Sequence, residues 1–210
     1  MDGSGRAEEV LRHLNVSRET AVRLTTFATI FEQWSRRINL VSRSSVAELW
    51  TRHILDSAQL MDHAPDASRH WLDLGSGAGF PGLVCAIMAA ERRPSLRVSL
   101  VESDQRKCTF LRTAARETGT DVEIHASRIE ALSPQETDIV SARALAPLTD
   151  LFRLTHPHIT PEAVLLLPKG ARHADEIADA RTRWRFTVDA RPSITDPSGR
   201  ILVCRDLSPL

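Results

Sequence analysis

Twelve residues, "WLDLGSGAGFPG" from Trp71 to Gly82, place four glycines within eight positions just after a short apolar run. Gly75, Gly77 and Gly79 permit unusual backbone angles and let a ligand approach the main chain closely. A tight strand-to-helix turn would need only one glycine, so four point to a ligand loop. The spacing is G-x-G-x-G, with Phe80 where a dinucleotide fingerprint would carry its third glycine. Asp73 would repel a phosphate; an acid beside glycines suits a cation such as an amino acid's ammonium group. At the end of the next apolar run stands Glu102, in "SLVES". A carboxylate there can accept both hydroxyls of a ribose. A glycine loop preceded by Asp73 and followed by Glu102 therefore suits a ligand with an amino-acid end and a nucleoside end.

The run "DIVSARALAPL" has no [ND]PP[YFW] loop, which tells against chemistry at an adenine amine. Cys85 and Cys108 fall in helix-like segments and Cys204 in the last strand-like one, poorly placed for covalent attack on a pyrimidine. A nucleophile with a free lone pair, such as guanine N7, needs neither a base nor a covalent step. Its catalysis reduces to positioning and electrostatics.

These residues need a scaffold. Residues 6 to 63 read as helices. Val22, Phe27, Ile30, Phe31, Trp34 and Ile38 recur at helical spacing, and Ser17 can cap the first turn. "SVAELWTRHILDSAQLMDH" reads as a second helix with Val46, Leu49, Trp50, Ile54 and Leu60 inward. From residue 70 strands alternate with helices: "HWLDL", "RVSLVES", "VEIHA", "DIVSA" and "AVLLLPKG" are strands, and a helix starts near Pro81. This alternation predicts an α/β, Rossmann-like fold with a mostly parallel sheet. "RFTVDA" and "RILVCRD", with no helix between them, should form a C-terminal antiparallel hairpin, giving seven strands. The expected division is an N-terminal helical extension, 1–66, and an α/β domain carrying the glycine loop, 67–210, in one structural unit.

The 210 residues include 27 basic and 27 acidic ones, so nucleic-acid binding would rest on a local patch. Lys107 and Lys169 are the only lysines; a GC-rich genome explains the arginine excess without RNA. Three scattered cysteines suggest reduced thiols. The start shows no signal-peptide pattern, and the longest apolar run is too short to span a bilayer. A cytoplasmic protein, with no membrane or metal partner, is expected.

The glycine loop, Asp73 and Glu102 together follow the pattern of class I S-adenosylmethionine-dependent methyltransferases. Longer stretches narrow it: "INLVSR" (38–43), "RHILDS" (52–57), "LDLGSGAGFPG" (72–82), "LVESDQRKCTFLR" (100–112), "SRIE" (127–130), "SARA" (141–144) and "PKG" (168–170) occur in order. Together they resemble the RsmG (GidB) family of ribosomal RNA guanine-N7 methyltransferases over nearly the whole chain. The resemblance implies S-adenosylmethionine as cofactor. The implied target is a guanosine in the 530-loop region of small-subunit (16S) rRNA, presented as rRNA, the 30S subunit or its precursor. It places Gly75, Gly77, Gly79, Phe80, Glu102, Ile129, Glu130 and Arg143 at the cofactor, with Arg143 also catalytic. Arg52, His53 and Lys169 are the candidate RNA contacts, since phosphates need positioned cations; a monomer is the expectation. Arg52 and Asp56 could equally form a surface salt bridge, His53 could be structural, and Arg36, Arg37 and Arg43 could be a basic patch or a solvated face. Two rivals share the scaffold: a nicotinamide-dependent oxidoreductase and a non-catalytic ribosome-assembly factor.

Overall fold

A computed structural model describes residues 3–210, apart from the side chains of residues 3, 4, 43 and 44. Two helices, α1 (Gly3–Leu14) and α2 (Arg18–Ser35), open the chain. Ser17 caps α2 as expected, its hydroxyl accepting from Thr20 N at 3.2 Å. The buried stripe on α2 is Leu24, Phe27, Ala28, Ile30 and Phe31. Val22 departs from the expected inward set and is 58% exposed. It stands about half a turn from Leu24 and Phe31 at 3.6 residues per turn, so it faces solvent.

The second helix is not continuous. It divides into α3 (Arg43–Val46), a π-helix (Leu49–Leu55), α4 (Asp56–Ala58) and a 3-10 turn (Gln59–His63). The Asp56 N–H donates to the Thr51 carbonyl, five residues back, and the Ser57 hydroxyl occupies the His53 carbonyl at 2.6 Å. Such widened turns collect at functional sites. Leu49, Trp50, Ile54 and Leu60 still point inward.

Seven strands then form one sheet in the order β3-β2-β1-β4-β5-β7-β6. β1 (His70–Leu74), β2 (Arg97–Glu102), β3 (Glu123–Ala126), β4 (Thr137–Ser141) and β5 (Ile159–Lys169) are parallel. β6 (Trp184–Pro192) and β7 (Arg200–Pro209) form the expected hairpin, and β7 lies antiparallel on β5. The crossovers carry α5 (Gly82–Arg92), α6 (Gln105–Thr118), α7 (Leu148–Thr155) and α8 (His173–Ala180).

Side chains alternate across the central strands. Trp71, Leu100, Ile139 and Val164 join a core with α2, α5 and α6. Leu72, Val101, Val140 and Leu165 join a second with α7 and the hairpin. Successive strand residues point to opposite faces, and both faces are covered, so these strands are apolar throughout. Val10, Leu14, Leu24 and Phe31 belong to the first core with Trp71.

Strand order runs one way from β1 to β3 and the other way from β4 onward. The β1/β4 boundary is therefore the crevice where open α/β sheets bind ligands.

Candidate active site

Gly75, Gly77 and Gly79 have φ of +67°, +53° and +85°. These are left-handed conformations that side-chain-bearing residues adopt at a cost. A Cβ on Gly75 would stand 2.8 Å from Leu145 Cδ1. Across the loop, Glu102 ends β2. Its Oε2 accepts from Gly77 N at 2.9 Å and its Oε1 from Asp104 N at 2.8 Å. A carboxylate accepts about four hydrogen bonds, so both oxygens retain acceptor capacity toward a ligand.

β3 pairs with β2 with Ala126 opposite Glu102, so the turn after β3 flanks that carboxylate. It carries Ile129, buried against Leu72, Leu74 and Val101, and the exposed Glu130. In the same turn Ser127 Oγ is buried with no hydrogen-bond partner. Left-handed glycines, a two-acceptor acid and an orphaned hydroxyl at one sheet end fit a nucleoside carrying an amino-acid tail.

Asp73 does not face a ligand cation. It is fully buried, receives the Ser141 hydroxyl on Oδ1 at 2.6 Å, and packs its Oδ2 against Gly82. Burial pushes its pKa up to about 6, against the stabilising Ser141 hydrogen bond. Asp73 lies beneath the loop, at the start of α5.

Arg143 follows β4. Its Nη1 donates to the Arg52 carbonyl at 3.0 Å and to Asp56 Oδ2 at 3.2 Å, and its Nη2 to His53 Nδ1 at 2.8 Å. Its guanidinium carbon lies 5.3 Å from the Phe80 ring centroid. His53 stacks on the same ring at 4.8 Å and 22°. Burial and the charges of Arg143 and Arg52 lower the His53 pKa to about 4. The imidazole is then neutral at neutral pH and accepts a hydrogen bond from Arg143 Nη2 through Nδ1. Phe80 is buried among His53, Arg143, Phe27 and Phe31, so it joins the loop to the π-helix.

Comparison with known proteins follows this geometry. Residues 21–199 match the family model described as rRNA small subunit methyltransferase G. A Ribosomal RNA small subunit methyltransferase G of Cereibacter sphaeroides is 52% identical over 96% of this chain and 98% of its own. The chain belongs to the rRNA small subunit methyltransferase G family. A second methyltransferase G, from a Ruegeria species, is 48% identical over 96% of this chain and 95% of its own. Solved structures carry the fold further. A TehB-like SAM-dependent methyltransferase from Corynebacterium glutamicum matches with TM-score 0.58 and 15% identity, over 84% of this chain and 97% of its own. A mutant of MtNAS in complex with S-adenosylmethionine matches with TM-score 0.57 and 14% identity, over 95% of this chain and 83% of its own.

In this member of the methyltransferase G family, a groove of about 1130 Å³ opens beside the glycine loop. Arg52, His53, Arg143, Leu145, Lys169 and the 193–201 turn line it; Glu102, Ile129 and Glu130 do not. The expected cofactor residues thus split: Arg143 lies on the groove side, the rest on the loop side, and Leu145 touches both. Arg52 pairs with Glu48 at 3.1 Å instead of Asp56, because Asp56 is taken by Arg143. The Arg52 side chain is 66% exposed. Lys169 is committed to the Ala146 carbonyl at 2.9 Å and Glu176 at 2.7 Å, and is 11% exposed. It fastens the loop after β4 and has little surface left for RNA. Arg36 and Arg37 are exposed at the end of α2; the Arg43 side chain lies outside the described residues.

Asp56 was legible only as a partner for Arg52. Its four-residue spacing gave no sign that Arg143 would claim it from 87 positions away. Leu145 gave no signal beyond being an apolar residue in a turn-like segment. Among the described residues no group of three or more His, Cys, Asp or Glu could hold a metal ion. None of the described helices is long and apolar enough to cross a membrane. The three cysteines are buried, with thiol pKa values raised mainly by desolvation.

Proposed function

We propose that this methyltransferase uses S-adenosylmethionine to methylate N7 of a guanosine in the 530-loop region of small-subunit (16S) rRNA. The observation that carries the reading is the Glu102 carboxylate hydrogen-bonded to the left-handed glycine loop at the β1/β4 crevice. When bound, the cofactor supplies a methyl on a sulfonium: the N7 lone pair forms the new bond, the S–C bond breaks, and its electron pair stays with sulfur.

The chain's own residues bind and orient. Glu102 holds a ribose, the glycines admit the amino-acid end, and the turn with Ile129 and Glu130 flanks adenine. Arg143 uses three of its five N–H groups on Arg52 and His53 of the π-helix and on Asp56 just after it, leaving two for a carboxylate, a phosphate or guanine O6. A bare cation there would oppose the positive charge that passes to the base. Asp56 offsets it at 3.2 Å. His53 is occupied by Arg143 and Asp73 is buried, so neither is offered as a general base; attack by a free lone pair needs none.

The helical extension, 1–66, serves the transfer unit, 67–210, by supplying His53 and Asp56 to Arg143. Arg52 is the exposed cation that contacts RNA. A cytoplasmic, monomeric protein acting on the rRNA, the 30S subunit or its precursor belongs to the same proposal.

Labelled cofactor offered with naked rRNA, an assembly intermediate or complete unmodified subunits tests it, with the labelled nucleoside identified. N7-methylguanosine from the 530 region is expected. Label on another nucleoside, or none on any acceptor, overturns the reading.

A further inference from the structure

Among the described residues the groove lining contains no Phe, Tyr or Trp. Its one aromatic ring, His53, is 6% exposed and packed against Phe31 and Phe80. A base splayed out of RNA for chemistry is normally held between aromatic or apolar faces. Here that contact has to be aliphatic. Four large apolar residues are exposed among those described: Val22, Leu145, Ile194 and Leu210. Of these, Leu145 lines the groove.

Its placement is specific. β1 and β4 run side by side, with Asp73 opposite Ser141, so the segments that follow them emerge together. Leu145 comes down on Gly75 so closely that a Cβ there would meet it at 2.8 Å. The preceding Ala144 has φ of +53°, a strained conformation for a residue with a side chain. The loop is held by Arg143 on one side and by Lys169 on the Ala146 carbonyl on the other. A strained loop fastened at both sides therefore presents an exposed leucine at the boundary between glycine loop and groove.

We propose that Leu145 is the apolar platform on which the target guanine rests, setting the distance and angle between N7 and the methyl donor. This rests on the methyltransferase reading above. Leu145 touches the base face; the edge is left to Arg143 and to the attacking lone pair.

The test compares Leu145→Ala, Leu145→Asn and Leu145→Met in single-turnover methylation of unmodified small subunits at saturating cofactor. Calorimetry with S-adenosylhomocysteine and a thermal melt accompany each variant. The alanine and asparagine variants should be about tenfold or more slower, the scale expected from a misplaced reactant. Leu145→Met should stay within about threefold, since it keeps apolar bulk. Cofactor affinity and melting temperature should match wild type. Wild-type-like rates in the alanine variant overturn the proposal. So does an asparagine variant as fast as methionine, because shape alone would then suffice. Weakened S-adenosylhomocysteine binding in the alanine and asparagine variants overturns it too, making Leu145 a wall of the cofactor pocket. Failure of wild type itself to transfer methyl would instead overturn the underlying reading.

Discussion

Arg143 and Asp56 form an ion pair of 3.2 Å between residues 87 positions apart, with side chains 18% and 15% exposed. It joins the end of β4 to the segment that follows the π-helix. Asp56 Oδ1 also accepts from Thr195 at 2.6 Å and Gln59 at 2.9 Å, so one carboxylate ties together three parts of the groove wall. Breaking such a pair from one side leaves the other charge poorly solvated.

Asp56→Asn should therefore slow methyl transfer and cost about 1.5–3 kcal/mol of stability, the range for lost hydrogen bonds to charged groups. Arg143→Lys should also slow turnover, because a point charge cannot reproduce the planar fork. Single-turnover rates and urea midpoints measure both. Normal rates in Arg143→Ala would remove any role in the reaction.

Glu102→Ala should weaken binding of the cofactor or its demethylated product by about 1.5–3 kcal/mol, which is roughly tenfold or more. Part of the loss is indirect, because Glu102 also orders the Gly77 and Asp104 amides. Calorimetry decides, and unchanged affinity would take Glu102 out of the ribose role.

The glycines should separate by function. Gly82→Ala would put a Cβ 2.5 Å from both Asp73 Cβ and Leu100 Cδ2, so it should destabilise the fold by about 1–3 kcal/mol or more. Gly75→Ala meets only the half-exposed Leu145 and a positive φ. Its main effect should fall on cofactor affinity and rate. Denaturation and calorimetry on the two variants should show these opposite profiles.

Two buried groups make stability depend on pH in opposite directions. His53 falls from 6.5 to about 4 on folding. Its contribution is complete above pH 6.5 and is lost as pH falls toward 4. Asp73 rises from 3.8 to about 6, so its ionisation costs stability as pH rises through that interval, fully above about 6. The two offset in wild type. Against wild type, His53→Gln should look least stable near pH 7 and recover toward pH 4. Asp73→Asn should gain most near pH 7 and lose that gain toward pH 4. Urea denaturation of all three proteins at several pH values tests this; parallel curves would refute it.

Arg52→Ala should leave stability within about 0.5 kcal/mol, since its partner is an exposed glutamate. RNA affinity should fall and the salt slope should lessen by about one. Equal RNA affinity at every salt concentration would make Arg52 a surface ion-pair residue only.

Local chemistry made much of this protein legible in its sequence. Two-sided burial makes parallel strands read as apolar runs, so "HWLDL" corresponds to β1 without adjustment. Glycines needed for left-handed backbone cannot be disguised, and an acid at the end of the next strand falls beside them because parallel neighbours share an end. The missing helix between the last two strands foretold the hairpin.

What only tertiary structure decided were the choices among partners. Asp73 looked like a ligand acid, but the depth of β1 and the bare backbone of Gly82 draw it under α5. The sequence offered Lys169 as a candidate RNA contact; its bonds to Glu176 and the Ala146 carbonyl came only with the fold. The spacing of 45–63 suits an α-helix, and the register change to a π-helix belongs to its packing. Asp56 is four residues from Arg52 and bonds Arg143 instead. Sequence spacing ranks neighbours along one element, whereas buried charges pair with whichever opposite charge the packed elements deliver, and that selection exists only once the sheet, the π-helix and the loop after β4 have met.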